Sequence, residues 1–333
     1  MVPKIICLTP VRNEAWILDR FLESASLWAD HIIIADQMST DGSREIVKRY
    51  PKAILIDNPS ETYNESERQK LLIYEARKFE GPRLLITLDA DEIFTPNILS
   101  SPEFKTILSS KPGTIIKFQW ANIRPDIQNM WLASYFPWGY MDDGHQHEGT
   151  QKIHSARIPL PTTSDIITIN QIKVIHFQYT NWKRMQSKHR WYQCYERINY
   201  PNKSALNIVR MYHHMYAIPQ NKIIPIPQEW IKEYNLLGID ITSITEETYN
   251  WWDEKVLNYI EQYGANKFKK LLIWDIDWSI TAKIWGKDNS NIFKDPRNTI
   301  DKYIHKWLII TQKKHQKIIF IILDKAIKLF LKY

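Results

Sequence analysis

Glycine and cysteine are scarce in this chain of 333 residues, and each shortage excludes a class of site. Only nine glycines occur and no two are separated by a single residue, so the chain has neither a G-x-G-x-x-G dinucleotide motif nor a P-loop. The two cysteines, Cys7 and Cys194, offer no disulfide framework or zinc ligand set, and they favour a reducing, cytoplasmic compartment. Long apolar runs are also missing, since no window reaches the ~18–20 apolar residues of a membrane span.

Positive charge is concentrated at one end of the chain. The net charge is +7, and residues 302–333 hold eight lysines and a single acid, Asp324. The preceding residues are therefore neutral overall. A nucleic-acid-binding domain needs its basic charge in the folded body, so we expect no nucleic-acid partner.

The N-terminal part of the chain alternates short apolar runs with helical periodicity, a pattern typical of a parallel sheet with crossover helices. The predicted strands are Lys4–Thr9, His31–Ala35, Ala53–Asp57 and Arg83–Leu88. The predicted helices are 16–28, 43–50 and 65–79. We therefore predict an α/β fold with a mostly parallel sheet.

The pattern changes after residue 113. Four further strands are predicted, at Thr114–Trp120, Trp131–Phe136, Gln151–Ile158 and Lys173–Tyr179, followed by a helix over 182–198. A proline-rich stretch, 218–227, interrupts regular structure, and the pattern beyond it is helical. This organisation predicts an α/β domain over 1–215 and a helical extension over 216–333.

The last predicted helix, residues 312–333, is basic and amphipathic. Its lysines and Asp324 fall mostly on one face, while Ile318, Ile322 and other apolar residues lie largely elsewhere. Such a helix can lie on an anionic surface, which would make the protein peripheral on the inner face of a membrane. The alternative is that the helix packs on its own domain with its lysines in water.

Carboxylates cluster directly after the fourth predicted strand. Asp89, Asp91 and Glu92 lie within four residues at the carboxyl end of a buried strand, which is where α/β sheets bind ligands. Asp89 and Asp91 could both face one divalent cation, Mn²⁺ or Mg²⁺, or a sugar phosphate. The alternative is that they only cap the next helix.

Polar residues also follow the first two predicted strands. Arg12-Asn13-Glu14 follows the first, and Asp36 ends the second, before the turn Ser39-Thr40-Asp41-Gly42. With the acidic cluster, they place three polar strand ends at one edge of the predicted sheet.

Together these motifs resemble the inverting glycosyltransferases of family 2, which have the GT-A fold and use nucleotide-sugar donors. Order and spacing agree over residues 4–98, and Gln69-Lys70 is a further match. Within the family the chain is most similar to the lipopolysaccharide-core glucosyltransferase branch, in which a His-Glu pair, a later His and a basic residue follow the acidic motif. The matching positions are His147, Glu148, His176 and Lys188.

The resemblance implies a role for each motif. Asp36 would contact the nucleobase or ribose, Asp89 the ribose or the metal, and Asp91 the metal. His176 would be a further metal ligand or, alternatively, a hydrogen-bonded core residue. The family's usual donor carries UDP. The other donor-binding residues would be Thr9, Arg12, Glu14, Arg68 and Lys70, the last two as cations beside the diphosphate.

An inverting transfer needs a carboxylate near the acceptor hydroxyl as general base. We assign this role to Glu148, with Asp142 and Asp143 as alternatives. In the same segment, His145 and His147 form an H-x-H pair, which on a strand would face one side and could bind a metal. That pair supports a second hypothesis, a metal-dependent hydrolase of phosphate or sugar esters.

Aromatic residues crowd just before the His-Glu pair, between Trp131 and Tyr140. Sugars stack their apolar faces on such rings, so this segment predicts an acceptor subsite for a glycan or glycolipid. The predicted acceptor contacts are Trp138, His147 and Lys188. A third hypothesis, a carbohydrate-binding protein without catalysis, would need no carboxylates at the strand end.

Overall fold

A computed structural model of the chain describes residues 2–243, 250–287 and 290–333. The chain divides into two compact units, Met1–Thr180 with Ile224–Glu246, and Asn181–Ile223 with Glu247–Tyr333. The first unit contains the sheet, and the second is helical.

The described part of the first unit is built on one nine-stranded sheet. Its strands are β1 (Lys4–Val11), β2 (His31–Asp36), β3 (Ala53–Asp57), β4 (Arg83–Thr87), β5 (Glu92–Phe94), β6 (Ile115–Ile123), β7 (Asn129–Met141), β8 (Ile166–His176) and β9 (Ile224–Pro225). Their order is β3-β2-β1-β4-β7-β6-β8-β5, with β9 beside β7. The first four strands pair in parallel, whereas β7 runs antiparallel to β4 and β6. The predicted α/β fold is confirmed.

The α-helices that the structure describes are α1 (Ala15–Trp28), α2 (Ser43–Val47), α3 (Glu65–Ala76), α4 (Pro102–Leu108), α5 (Trp182–Asn199), α6 (Ala205–Tyr212), α7 (Gln228–Leu236), α8 (Trp251–Tyr263), α9 (Trp278–Ile284), α10 (Thr299–Thr311) and α11 (Ile318–Leu331). Five of them, α1–α4 and α7, belong to the first unit with the sheet, and the other six form the second unit. The predicted helical C-terminal region is confirmed. Within the described ranges, no helix has the length and apolarity needed to cross a membrane.

Both faces of β1, β2 and β4 are buried, which explains their continuous apolar runs. In β1, Cys7 faces the layer that contains α1, whereas the neighbouring Ile6 and Leu8 face the layer that contains α3. Alternate side chains of one strand thus serve two cores. This packing holds the loops at the carboxyl edge of the sheet in fixed positions.

The predicted strand over 151–158 is wrong, because this segment has no regular secondary structure. Its backbone bonds to α3 instead of to a strand. Lys152 O accepts from Glu65 N at 3.0 Å, and Ser155 N donates to Glu65 Oε2 at 2.9 Å. Ile153 and Ile158, the apolar residues that favoured a strand, are buried anchors of this loop.

The second unit begins earlier in the chain than the predicted extension. Within this unit α5 packs on α8, where Arg190 Nη2 lies 3.2 Å from Asp253 Oδ1 and the rings of Trp191 and Trp252 are 4.7 Å apart. Residues 181–215, which the sequence pattern groups with the α/β domain, therefore cluster with the later helices.

Candidate functional site

The acidic motif lies at the carboxyl edge of the sheet, in the turn between β4 and β5. Because β1, β2 and β4 run parallel, the segments that follow them emerge at this same edge. The short strand β5 pairs antiparallel with β8, which places Glu92 opposite His176. Strand pairing thus brings a histidine to the acidic motif from a distant part of the sequence.

Asp91 and His176 form the centre of the candidate site. Asp91 is only 4% exposed, and its Oδ2 has no hydrogen-bond partner among the described residues. This oxygen lies 3.8 Å from His176 Nε2. His176 Nδ1 lies 2.8 Å from Asn122 Oδ1, an acceptor, so Nδ1 carries a proton and donates this bond. The imidazole ring stacks on Trp120, with 4.7 Å between centroids.

A carboxylate oxygen and an imidazole nitrogen at this separation suit a divalent cation. A buried carboxylate oxygen without a hydrogen-bond partner lowers the stability of the folded state. This cost is a further sign that a positive group belongs beside Asp91 Oδ2. The described ranges contain no group of three or more His, Cys, Asp or Glu residues that could hold a metal ion. A cation at Asp91 and His176 would therefore need additional oxygen ligands from substrate or water.

Asp89 lies in a separate ion cluster in which the Glu92 side chain is buried and the Asp89 and Arg157 side chains are partly exposed. Arg157 Nη2 donates to Asp89 Oδ2 at 2.6 Å, and Arg157 Nη1 donates to Glu92 Oε2 at 2.6 Å. Glu92 also accepts from Trp120 Nε1 at 2.8 Å and from the Asp89 backbone N–H at 2.9 Å. Burial raises the pKa of Glu92 to about 7, although Arg157 opposes this shift. The three acids thus have different partners. Asp89 and Glu92 bind Arg157, whereas Asp91 faces His176.

The segments after β1 and β2 are tied together by hydrogen bonds. Asn13 has a left-handed backbone, with φ of 55°, and its N–H donates to Ser39 Oγ at 2.8 Å. Thr40 N–H returns a bond to Asn13 Oδ1 at 2.9 Å. Glu14 N–H donates to Ser43 Oγ at 3.0 Å, and the Glu14 carboxylate accepts from the Trp16 indole at 2.7 Å. Two of the three predicted polar strand ends are therefore one structural unit.

Asp36 presents one occupied and one unoccupied oxygen. Its Oδ2 accepts from Arg44 Nη1 at 2.8 Å and from Ser39 N–H at 3.1 Å. Its Oδ1 is buried and finds no partner in the described part of the chain. Arg44 also pairs with Asp57 at 2.8 Å, so it anchors Asp36 to the end of β3. Hydrogen bonds to Oδ2 thus fix the orientation of the Asp36 carboxylate, and Oδ1 accepts no hydrogen bond from the described residues.

The remaining residues predicted to bind the donor lie around this edge. Thr9 is buried in β1, with Oγ1 3.7 Å from Cys7 Sγ, and Arg12 lies in the bend after β1. On α3, Arg68 lies over the Tyr63 ring, with 5.0 Å from Cζ to the ring centroid. Lys70 pairs with Glu67 at 3.0 Å. Both basic side chains, Arg68 and Lys70, thus lie on α3, the helix that follows β3 in the chain.

The His-Glu segment is a loop. Glu148 is exposed, and the following Gly149 accepts a hydrogen bond from Ser66 Oγ in the first turn of α3. His147 is buried, with Nε2 2.7 Å from Ala156 O. His145 is exposed, so the H-x-H pair does not face one side of a strand. The metal pair that suggested a hydrolase is therefore not formed.

The two alternative bases lie beyond β7, which runs antiparallel to β4. Asp142 N–H donates to Arg83 O at the start of β4, so Asp142 lies at the opposite end of that strand from Asp89. Its carboxylate pairs with Arg77 and Arg83 at 2.8 and 2.9 Å. Burial would raise the pKa of Asp142, but hydrogen bonds from Arg77, the Gly144 N–H and Arg83, with the Arg77 charge, together outweigh it and lower the pKa below its ordinary value. Asp143 accepts from Tyr140 Oη.

An aromatic wall adjoins the ion cluster. Trp120 lies 4.9 Å from Trp138 and 4.7 Å from Phe136, measured between ring centroids. The Arg157 guanidinium lies 5.2 Å from the Trp138 centroid. Of the predicted acceptor residues, Trp138 thus lies beside the acidic motif. Lys188 belongs to α5 of the second unit, where its Nζ lies 5.8 Å from the Tyr192 centroid.

The sequence pattern did not identify two residues that shape this site, Arg157 and Asn122. Arg157 falls within the wrongly predicted strand, and no motif marks it. Asn122 orients His176 through a β6–β8 register that the sequence does not reveal. The sequence identified Glu92 as the third acid of the motif, but it did not predict that Glu92 binds Arg157 and Trp120.

A family model matches part of the chain. Residues 6–154 match the model of glycosyl transferase family 2. None of the curated proteins matches the chain. Solved structures similar to it include glucosyl-3-phosphoglycerate synthase from Mycobacterium tuberculosis, determined with Mn²⁺, UDP and phosphoglyceric acid, at 17% identity over 35% of this chain and 43% of that one, with a TM-score of 0.28.

Two further structures are similar at low identity. Mannosyl-3-phosphoglycerate synthase from Rubrobacter xylanophilus is 16% identical over 37% of this chain and 41% of its own, with a TM-score of 0.28. TarS 1–349 from S. aureus is 11% identical over 94% of this chain and 90% of its own, with a TM-score of 0.39. The chain spans less than half the length of the two synthases. The family match supports a nucleotide-sugar glycosyltransferase domain of family 2, with its Rossmann-like fold, in residues 6–154.

Proposed function

We propose that this protein transfers a sugar, with inversion, from a nucleoside diphosphate sugar to a hydroxyl of a glycan or glycolipid acceptor. We take a UDP-linked hexose as the donor and Mn²⁺ or Mg²⁺ as the cofactor. The observation that carries the proposal is the buried, unpartnered Oδ2 of Asp91, 3.8 Å from His176 Nε2 at the carboxyl edge of the sheet. A family 2 match over residues 6–154, which include Asp91 but not His176, supports the proposal.

In this proposal Asp91 and His176 hold the cation, and diphosphate oxygens complete its ligands. The bound cation would neutralise the negative charge that develops on the departing nucleoside diphosphate. Asn122 keeps His176 in the tautomer whose Nε2 lone pair can bind the cation. Asp89 contacts the ribose or the cation while Arg157 fixes its orientation.

The donor's nucleoside would bind at the ends of β1 and β2. Asp36 Oδ1, which accepts no hydrogen bond from the described residues, would accept one from the base or the ribose. Thr9, Arg12 and Glu14 contribute the adjoining wall of the donor site. Arg68 and Lys70, on α3, add positive charge for the diphosphate.

Glu148 is our proposed general base. Its exposed side chain beside the first turn of α3 is open to an incoming hydroxyl. Asp142 is less suited to this role, because two arginines hold it and lower its pKa. In one in-line displacement, Glu148 takes the hydroxyl proton, the hydroxyl oxygen bonds to the anomeric carbon, and the nucleoside diphosphate leaves with the electron pair.

The acceptor would stack on the aromatic wall at Trp138, with His147 as a further contact. We place the chain near the lipopolysaccharide-core branch of the family on its sequence motif, which consists of His147-Glu148, His176 and Lys188. We propose a cytoplasmic location, peripheral on the inner face of a membrane, where lipid-linked glycans are available.

Nucleotide-dependent thermal stability tests this proposal. UDP, dTDP, GDP, CDP and ADP are each added with and without Mn²⁺. A nucleotide at about 100 times its Kd adds about 2.7 kcal/mol to the stability of the folded state, which raises Tm by about 5 °C. We expect this shift for one nucleotide, UDP, and only with the metal. No metal-dependent shift with any of the five would refute the donor assignment.

Replacing Glu148 by glutamine tests the general base. We expect kcat for donor turnover to fall by about 10²–10⁴-fold, because the amide cannot take a proton. The UDP-induced shift in Tm should stay unchanged, since Glu148 does not hold the donor. Asp142→Asn is the matched control: it should lower Tm by weakening the pairs with Arg77 and Arg83. A Glu148→Gln variant with normal kcat would exclude Glu148 as the base.

A further inference from the structure

The C-terminal helix α11 is held on the second unit by contacts along its length. Near its start, the Phe320 ring lies 5.7 Å from Trp307 of α10. At its centre, Asp324 is buried and pairs with Arg210 of α6 at 3.0 Å. At its end, Lys270 Nζ donates to Leu331 O at 2.8 Å. The helix is therefore a fixed part of this unit, which matches one of the two alternatives drawn from the sequence.

The docked helix turns an apolar row outward. Ile318, Ile322, Lys325 and Leu329 follow the spacing i, i+4, i+7 and i+11, so they share one face of α11. The three apolar side chains of this row are 77%, 59% and 72% exposed. Phe330, beside the row, is 77% exposed. The alternative of a docked helix with its lysines in water therefore describes Lys325 but not the three apolar members of this row.

The side chains of residues 302–333 carry a strong excess of positive charge. Residues 302–333 contain eight lysines and one acid, and that acid is Asp324, whose carboxylate is buried against Arg210. The lysines next to α11, including Lys313, Lys314 and Lys317, are exposed. An exposed apolar row among unneutralised lysines is complementary to an anionic lipid surface, where apolar side chains enter the acyl boundary and lysines meet the headgroups.

We infer that α11 docks this protein on an anionic bilayer, with Ile318, Ile322 and Leu329 inserted at the interface. A second copy of the chain fits this face less well. Packing two such faces together would bring Lys325 and the flanking lysines of both copies into proximity without any acid to offset them. This inference uses α6, α10 and α11 alone and does not depend on sugar transfer.

Labelling at position 322 tests the insertion directly. Both native cysteines are fully buried, so an Ile322→Cys variant accepts a single environment-sensitive fluorophore. We expect its emission to shift to shorter wavelength with vesicles of phosphatidylcholine and about 30% phosphatidylglycerol, and to shift back in high salt. Leu236→Cys, at an exposed site on α7 of the first unit, is the control and should show no shift. No shift at position 322 would overturn the inference.

Vesicle cosedimentation of the full chain gives an independent measurement. Replacing Ile322 and Leu329 together by serine should weaken binding to anionic vesicles by about tenfold or more, because two inserted apolar side chains are lost. Both residues are exposed, so Tm and the nucleotide-induced shift should stay near the wild-type values. Leu236→Ser should bind as the wild type does.

Two results would overturn the inference. One is a double variant that binds anionic vesicles as tightly as the wild type. The other is a wild-type dimer in solution that the double variant converts to monomer, which would assign the row to a second copy. Failure of nucleotide binding would leave both vesicle measurements unaffected, so this inference and the proposed function fail separately.

Discussion

Replacing Asp91 by alanine should lower kcat/KM for donor turnover by about a thousandfold or more, equivalent to about 4 kcal/mol of transition-state stabilisation. Asp91 supplies the carboxylate of the proposed cation site, and with it removed only His176 remains there. The Mn²⁺-dependent part of the nucleotide-induced shift in Tm should disappear as well. Steady-state kinetics and thermal unfolding on the same protein preparations measure both effects.

The unliganded Asp91 variant should be as stable as the wild type or more stable. The wild-type carboxylate is buried with an oxygen that lacks a partner in the described chain, and its removal relieves that cost. Asp126→Ala, at an exposed surface pair with Arg124, is the matched control and should leave kinetics unchanged. Normal kcat/KM in Asp91→Ala would refute the proposed cation site. A large fall in its Tm would instead assign Asp91 a structural role.

Replacing Arg157 by alanine should destabilise the first unit by about 3–5 kcal/mol, because removal of one partner leaves buried charge without compensation. Arg157 pairs with both Asp89 and Glu92, and the Glu92 side chain is fully buried. Chemical denaturation, in which the midpoint and slope are both fitted, measures the change. Arg124→Ala removes an exposed arginine paired with Asp126 and should change stability by less than about 0.5 kcal/mol.

The loss in the Arg157 variant should depend on pH. The folded-state pKa of Glu92, about 7, exceeds its ordinary value of 4.5, so stability falls as pH rises through this range. Without Arg157 the pKa rises further, and the fall continues to higher pH. The variant should therefore lose more stability, relative to wild type, at about pH 8 than at about pH 6. An equal loss at both values would show that Glu92 is not the group left uncompensated.

Local patterns predicted most of the parallel strands because β1, β2 and β4 are buried on both faces. Continuous apolar runs mark such strands, and the prediction for β2, His31–Ala35, differs by one residue from its observed bounds, His31–Asp36. The segment over 151–158 shows where this reasoning fails. Its apolar residues are buried as the strand pattern requires, but its backbone bonds to α3, and burial alone does not distinguish the two cases.

The charge pattern of α11 illustrates a second limit. The sequence places Asp324 with the lysines of an amphipathic helix, whereas the structure buries it against Arg210. The inward orientation of Asp324 depends on Arg210, which lies more than a hundred residues earlier in the chain. Once Asp324 turns inward, helical geometry forces Ile318, Ile322 and Leu329 outward.

The sequence by itself determined the α/β class, the polar strand ends and the identity of the acidic motif, since these depend on local apolar periodicity and on the rule that ligands meet strand ends. Only the tertiary structure decided how the three acids divide. The β5–β8 pairing brings His176 to Asp91, and the loop that carries Arg157 folds back to bind Asp89 and Glu92. Both contacts join residues far apart in sequence, and long-range pairing depends on register and packing that no local pattern encodes.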